Sequence, residues 1–130
     1  MRILSAQQFN HKLKVTVQQT GRMSFAPETA NVLSLNCEKG IKFFMDGEPE
    51  QLYMAITTEP DSDCFPVKKS GVYYYVAAQL LFDELGVDYR TYTVIYDLTR
   101  SMAYDEETGG QCYKMNYRPI KKKANDEHIE

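Results

Sequence analysis

Few residues in this 130-residue chain combine the type and the spacing that catalysis or metal binding needs. The only histidines, His11 and His128, stand near the two ends, and neither lies beside a candidate nucleophile. Cys37, Cys64 and Cys112 are odd in number and widely separated. They form no CxxC pair, and two distant histidines do not complete a zinc spacing. Buried or semi-buried reduced thiols are expected. Asp61 and Asp63 offer two carboxylates, but a calcium loop needs further oxygens at regular spacing and a closing glutamate. Asp83 and Glu84 are adjacent on a predicted helix and therefore diverge around it. Asp105-Glu106-Glu107 falls in a polar segment, read as a flexible hairpin tip open to interaction. No Ser/His/Asp set, phosphate loop or dinucleotide fingerprint is present. The residues thus point away from an enzyme, and no catalytic residue, metal site or cofactor is assigned.

What remains is a set of cations. Lys12 and Lys14 fall on the outward face of a predicted first strand, Lys114 and Arg118 on the outward face of the last, and Lys121-Lys122-Lys123 follow. Charges of this kind bind phosphate when they converge, with affinity falling as salt rises. Scattered, they only keep sheet faces and edges soluble. The net charge of −3 supplies no global attraction to nucleic acid, so any such face must be local. Residues 121–130 end in Asn-Asp-Glu-His-Ile-Glu and are expected to be a disordered, solvated tail. The stretch Met-Arg-Ile-Leu-Ser-Ala-Gln-Gln at the N-terminus lacks an apolar run long enough for a signal peptide or a membrane span. A cytoplasmic protein without membrane contact is expected.

The elements that must position these cations follow from hydrophobic periodicity. Leu13, Val15 and Val17 alternate with Lys12, Lys14, Thr16 and Gln18, which predicts a half-buried strand. Thr20-Gly21 marks a turn, and Met23-Ser24-Phe25 resumes the alternation. Pro27 and Glu28 suit the start of a helix of two to three turns. Ile41, Phe43 and Met45 form another strand, Asp46-Gly47 opens a hairpin loop, and Leu52, Met54 and Ile56 return. The polar, proline-bearing residues 59–64 read as a linker. Phe65 and Val67 then alternate with Pro66 and Lys68, Ser70-Gly71 turns, residues 77–85 form a helix stopped by Gly86, and Tyr92, Val94, Tyr96 and Leu98 define a strand. Tyr113, Met115 and Tyr117 share one face of the final strand.

The order of elements repeats. A shift of fifty residues lays Val17-Gln18-Gln19-Thr20-Gly21 over Val67-Lys68-Lys69-Ser70-Gly71, and Met23-Ser24-Phe25 over Tyr73-Tyr74-Tyr75. On this alignment Tyr73 and Tyr75 should face the core and Tyr74 the solvent, and most tyrosines are wide core residues rather than stacking platforms for bases. The expected fold is α+β: a pseudo-twofold β-barrel made of two ββαββ units, 12–58 and 65–118, with short, mostly antiparallel strands and two short helices. One domain would span 1–120. Neither unit alone can bury its apolar faces, whereas two can pair strands and remove exposed edges.

The run Gln19-Thr20-Gly21-Arg22-Met23-Ser24-Phe25-Ala26-Pro27-Glu28, followed by Leu33 and Leu35, resembles the AbrB-like swapped-hairpin domain of bacterial transition-state regulators and antitoxins. The resemblance covers residues 12–57 and, more loosely, 65–118. In that family two chains interlock into the barrel and a basic face binds DNA; here one chain would supply both halves. The resemblance implies a DNA-associated transcriptional regulator with Lys12, Lys14, Arg22, Lys68 and Lys69 as the residues contacting duplex DNA. Val72 stands where a second arginine would match Arg22, and the second half lacks the helix-leading proline. The alternative is a protein-interaction or assembly domain that uses a sheet edge or the 99–110 loop.

Overall fold

Among the described residues, stretches in which apolar residues alternate with polar ones form strands, with most of their apolar side chains turned inward. The computed structural model describes residues 1–3 and 13–121, and Lys12 with residues 122–130 therefore lies outside the described residues. The strands are β1 (Lys14–Val17), β2 (Arg22–Phe25), β3 (Gly40–Asp46), β4 (Gln51–Thr57), β5 (Phe65–Pro66), β6 (Lys68–Ser70), β7 (Tyr73–Ala77), β8 (Tyr92–Arg100) and β9 (Gly110–Lys121). They form one antiparallel sheet in the order β5-β3-β4-β9-β8-β1-β2-β7-β6. The two outermost strands are consecutive in the chain, separated only by Val67. Phe65–Pro66 pairs with β3, Lys68–Ser70 pairs with β7, and the buried Val67 donates its N–H to the Lys39 carbonyl at 3.2 Å. The sheet is thereby rolled into a nearly closed barrel, with the Phe65–Ser70 segment as its seam.

Among the described residues three short helices accompany the strands: α1 (Pro27–Val32), α2 (Gln79–Glu84) and α3 (Asp105–Thr108). The first two are six residues each, shorter than the two to three turns expected, and both end in the same way. Leu35 N–H returns to the Ala30 carbonyl and Ser34 N–H to Asn31; Val87 N–H returns to Phe82 and Gly86 N–H to Asp83. This is a Schellman ending, in which the residue after the cap takes the left-handed conformation. Ser34 (φ 54°) and Gly86 (φ 72°) occupy that position. The Phe82 side chain on α2 is fully buried, edge-on to Phe43 at 6.2 Å and stacked on Tyr96 at 6.1 Å between ring centres. Val15, Val17, Met23, Phe25, Ile41, Met54, Val94 and Met115 share this interior.

Three expectations are corrected. First, β7 turns Tyr74 and Val76 inward and leaves Tyr73 exposed and Tyr75 facing out. Tyr74 pairs with Phe25 and Val76 with Met23, whereas Tyr75 pairs with the outward Ser24. The cause is turn length. The Val17–Met23 pair encloses five residues and the Ser70–Tyr73 pair only two, and an odd difference flips every side chain to the other face. Second, the segment after β8 is not a loose tip. Met102–Tyr104 forms a 3₁₀ turn running into α3, which lies on the outer side of β4 and β9. Third, of the three free cysteines Cys112 is buried and Cys64 half-buried, but Cys37 is exposed.

Candidate nucleic-acid interface

Cα partners in an antiparallel sheet share a face, so the pairing register fixes which side chains meet outside the barrel. Lys68 partners Tyr75 and Tyr75 partners Ser24, which in turn partners Thr16. This outward row crosses β6, β7, β2 and β1. Arg22, one step along β2, lays its guanidinium over the Tyr75 ring at 4.3 Å from the centroid. Tyr75 is thus flanked by two cations, Arg22 above its ring and Lys68 at its cross-strand position. Lys14 shares the outward face of β1 two residues from Thr16. The outward positions of these four strands are Lys14, Thr16, Arg22, Ser24, Lys68, Ser70, Tyr73, Tyr75 and Ala77, and none is a carboxylate.

The other expected contacts are placed differently. Lys69 partners Tyr74, on the opposite face, with its ammonium 5.5 Å from that ring, and it borders a shallow pocket beside Ala30, Asn31 and Leu35. It does not join Arg22 and Lys68. Lys12 falls outside the described residues. Lys14 partners Asp97 on β8, and the Asp97 carboxylate is held in two hydrogen bonds by Arg118, from Nε at 2.8 Å and Nη2 at 3.0 Å. The outward Arg118 is therefore neutralised on the neighbouring strand, and the cationic surface ends there.

Sequence reasoning missed the Tyr75 ring as part of this face, because the fifty-residue shift sent it inward. The only signal was the unequal turn length. On the far side of the barrel the acidic segment serves the fold. Arg100 Nη1 and Nη2 grip the Asp105 carboxylate at 2.8 and 2.6 Å, and Asp105 also accepts the Cys112 N–H at 3.1 Å. Arg100 first, then the Cys112 amide, hold the Asp105 carboxyl below the usual carboxylate range. Tyr104 donates its hydroxyl to Asp46 at 2.6 Å and packs on Phe44 and Tyr53, with ring centres 5.1 and 4.8 Å away. Burial pushes the Cys112 thiol up, which disfavours the thiolate form.

Among the described residues no group of three or more His, Cys, Asp or Glu side chains could hold a metal ion, and no helix is long and apolar enough to cross a membrane. Asp61 and Asp63 do not make a cage: Asp61 accepts the Asp63 amide and pairs with Lys42 at 3.1 Å. Comparison with protein-family models, curated proteins and solved structures finds no match to this chain.

Proposed function

We propose that the chain is a non-enzymatic binding module that takes duplex DNA on the outer face of β1, β2, β7 and β6. The observation that carries this reading is the outer patch in which Arg22 and Lys68 flank Tyr75, with Lys14 at its edge beside the Arg118-paired Asp97. The hydroxyls of Thr16, Ser24, Ser70 and Tyr75 add donors suited to phosphate oxygens. Three cations neutralising three phosphates give a log–log salt slope of roughly −3, a weak interaction of the kind that a regulator makes through several modules.

The reading extends to a duplicated, AbrB-like arrangement. Exchanging β1, β2, β3 and β4 with the β5–β6 segment, β7, β8 and β9 returns the same set of neighbours, and this supports two units of common origin. The two Schellman endings, fifty-two residues apart by 86 − 34, support it too. The cations differ between the halves, so the DNA-binding face is one-sided and favours no palindrome. The module belongs in the cytoplasm, where such a regulator meets DNA.

The test is fluorescence anisotropy of a labelled duplex over about 50 to 200 mM salt, comparing the native protein with Arg22→Ala/Lys68→Ala. The double variant should bind more weakly, and its salt slope should shrink by about 2. Folded protein that leaves duplex DNA free even at low salt would sink this reading. A protein partner is then the second one, favoured by the exposed Met102, Glu106 and Glu107 on a segment held firmly to the sheet.

A further inference from the structure

One mouth of the barrel holds a pocket of 330 Å³ between the C-terminal end of α2 and the inward side chains of β3, β4, β8 and β9. The apolar part of its wall is made by Met45, Leu52, Leu85 and Met115 with the rings of Tyr96 and Tyr117, and Glu50 and Gln51 supply a polar part. The two rings are tilted by 50° with centres 5.6 Å apart. Methionine side chains reshape readily around an apolar guest and make favourable contacts with aromatic rings.

Within this wall the Tyr96 hydroxyl stands out. The residue is 3% exposed, yet its hydroxyl has no hydrogen-bond partner among the described residues. Nearly every buried polar group in a folded protein is paired, and an unpaired one usually marks a place for water or a ligand. Burial, with the nearby Tyr117 phenol second, pushes the Tyr96 pKa up to about 12, so at neutral pH the hydroxyl is a donor. Gln51 also lines the pocket, with a fixed orientation, its Nε2 donating to the Met115 carbonyl at 2.6 Å and to the Leu52 carbonyl at 3.1 Å. Glu50 is the one charged residue at the pocket, and it disfavours an anion.

We propose that this mouth is a binding site for a small, uncharged, largely apolar molecule, aromatic or alicyclic, carrying a carbonyl-type acceptor that takes the hydrogen bond of Tyr96. A pocket of this volume, lined mainly by apolar groups with one or two placed polar ones, has the usual composition of a small-molecule site. The site is formed by β3, β4, β8, β9 and α2, none of which supplies the cationic face, so the two are independent.

The probes are acetophenone and ethylbenzene, which match in size and differ in the acceptor. Amide resonances of the isotopically labelled protein are followed during titration. Acetophenone should shift Gln51, Gly86 and Met115 saturably, and Tyr96→Phe should weaken its binding about fivefold. Ethylbenzene should bind the native protein and Tyr96→Phe alike. Met45→Trp, at a position 40% exposed and so free to accept a larger side chain, should abolish binding of both. The proposal is overturned if acetophenone causes no saturable shift at the mouth. It is equally overturned if Tyr96→Phe binds acetophenone as well as the native protein does, which would leave the hydroxyl to water alone.

Discussion

Two carboxylates show how side chains of ordinary type acquire fixed roles here. Asp83 accepts the hydroxyl of the buried Tyr89 at 2.6 Å and an Arg90 N–H at 3.2 Å, while Asp105 is clamped by Arg100. The Tyr89 bond is the main cause that holds Asp83 below its ordinary range, and Arg100 does the same for Asp105. A carboxyl whose pKa is lower folded than unfolded stabilises fully above the unfolded value. That stabilisation is lost as pH falls through the folded value. Thermal stability should therefore be flat from neutral pH to about pH 5 and decline below about pH 4. Asp83→Asn/Asp105→Asn should be less stable at neutral pH and show a shallower decline, with Asp61 supplying the remainder. Melting curves between these limits decide it; an unchanged acid decline in the double variant would sink the assignment. Neither role was legible in the sequence. Adjacency on a helix says only that Asp83 and Glu84 diverge around it. It could not reveal the tyrosine six residues on that folds back under the helix.

At the scale of elements, periodicity carried most of the information. Val15 and Val17, Met23 and Phe25, and Val94, Tyr96 and Leu98 all face inward as their alternation predicts, because one sheet face is wet and the other dry. Where the alternation failed, at Tyr73–Tyr75, three successive tyrosines fit either face equally well. The turn length alone sets their direction, and this hid one ring of the candidate DNA face. The segment 101–109 was misread for another reason. The anchors of Tyr104, namely Asp46, Phe44 and Tyr53, lie between 51 and 60 residues away, where no local pattern reaches. The helix endings make a sharper test of local chemistry. Ser34 holds the left-handed conformation that glycine adopts freely, while Gly86 does the same with no Cβ penalty and open space around it. Ser34→Gly should stabilise the protein by about 1 kcal/mol and Gly86→Ala should destabilise it by about as much. Urea midpoints should move in opposite directions with unchanged slopes. Movement in the same direction would mean that one ending is not held as described.

For the whole molecule, the expectation of a barrel made from short antiparallel strands was sound, but how it closes was not legible. Pairing partners are non-local choices, and nothing in Phe65-Pro66-Val67-Lys68 announces that one strand serves two neighbours in turn. Four of the eight strand pairings join the first half of the chain to the second: β1 with β8, β2 with β7, β3 with β5 and β4 with β9. The two halves therefore interlock as a pair of subunits would, and the link around residues 59–63 serves mainly to raise their effective concentration. Severed there, the protein should behave as a complementation pair. Polypeptides 1–60 and 61–130, each with too few strands to cover its own apolar side, should be insoluble or unfolded apart and co-elute one to one when expressed together. Separate elution of two folded fragments would show that the interlocking is not what holds the barrel. If they do associate, the link becomes a place to install a switch, since any condition that brings the two pieces into range would assemble both the cationic face and the barrel mouth at once.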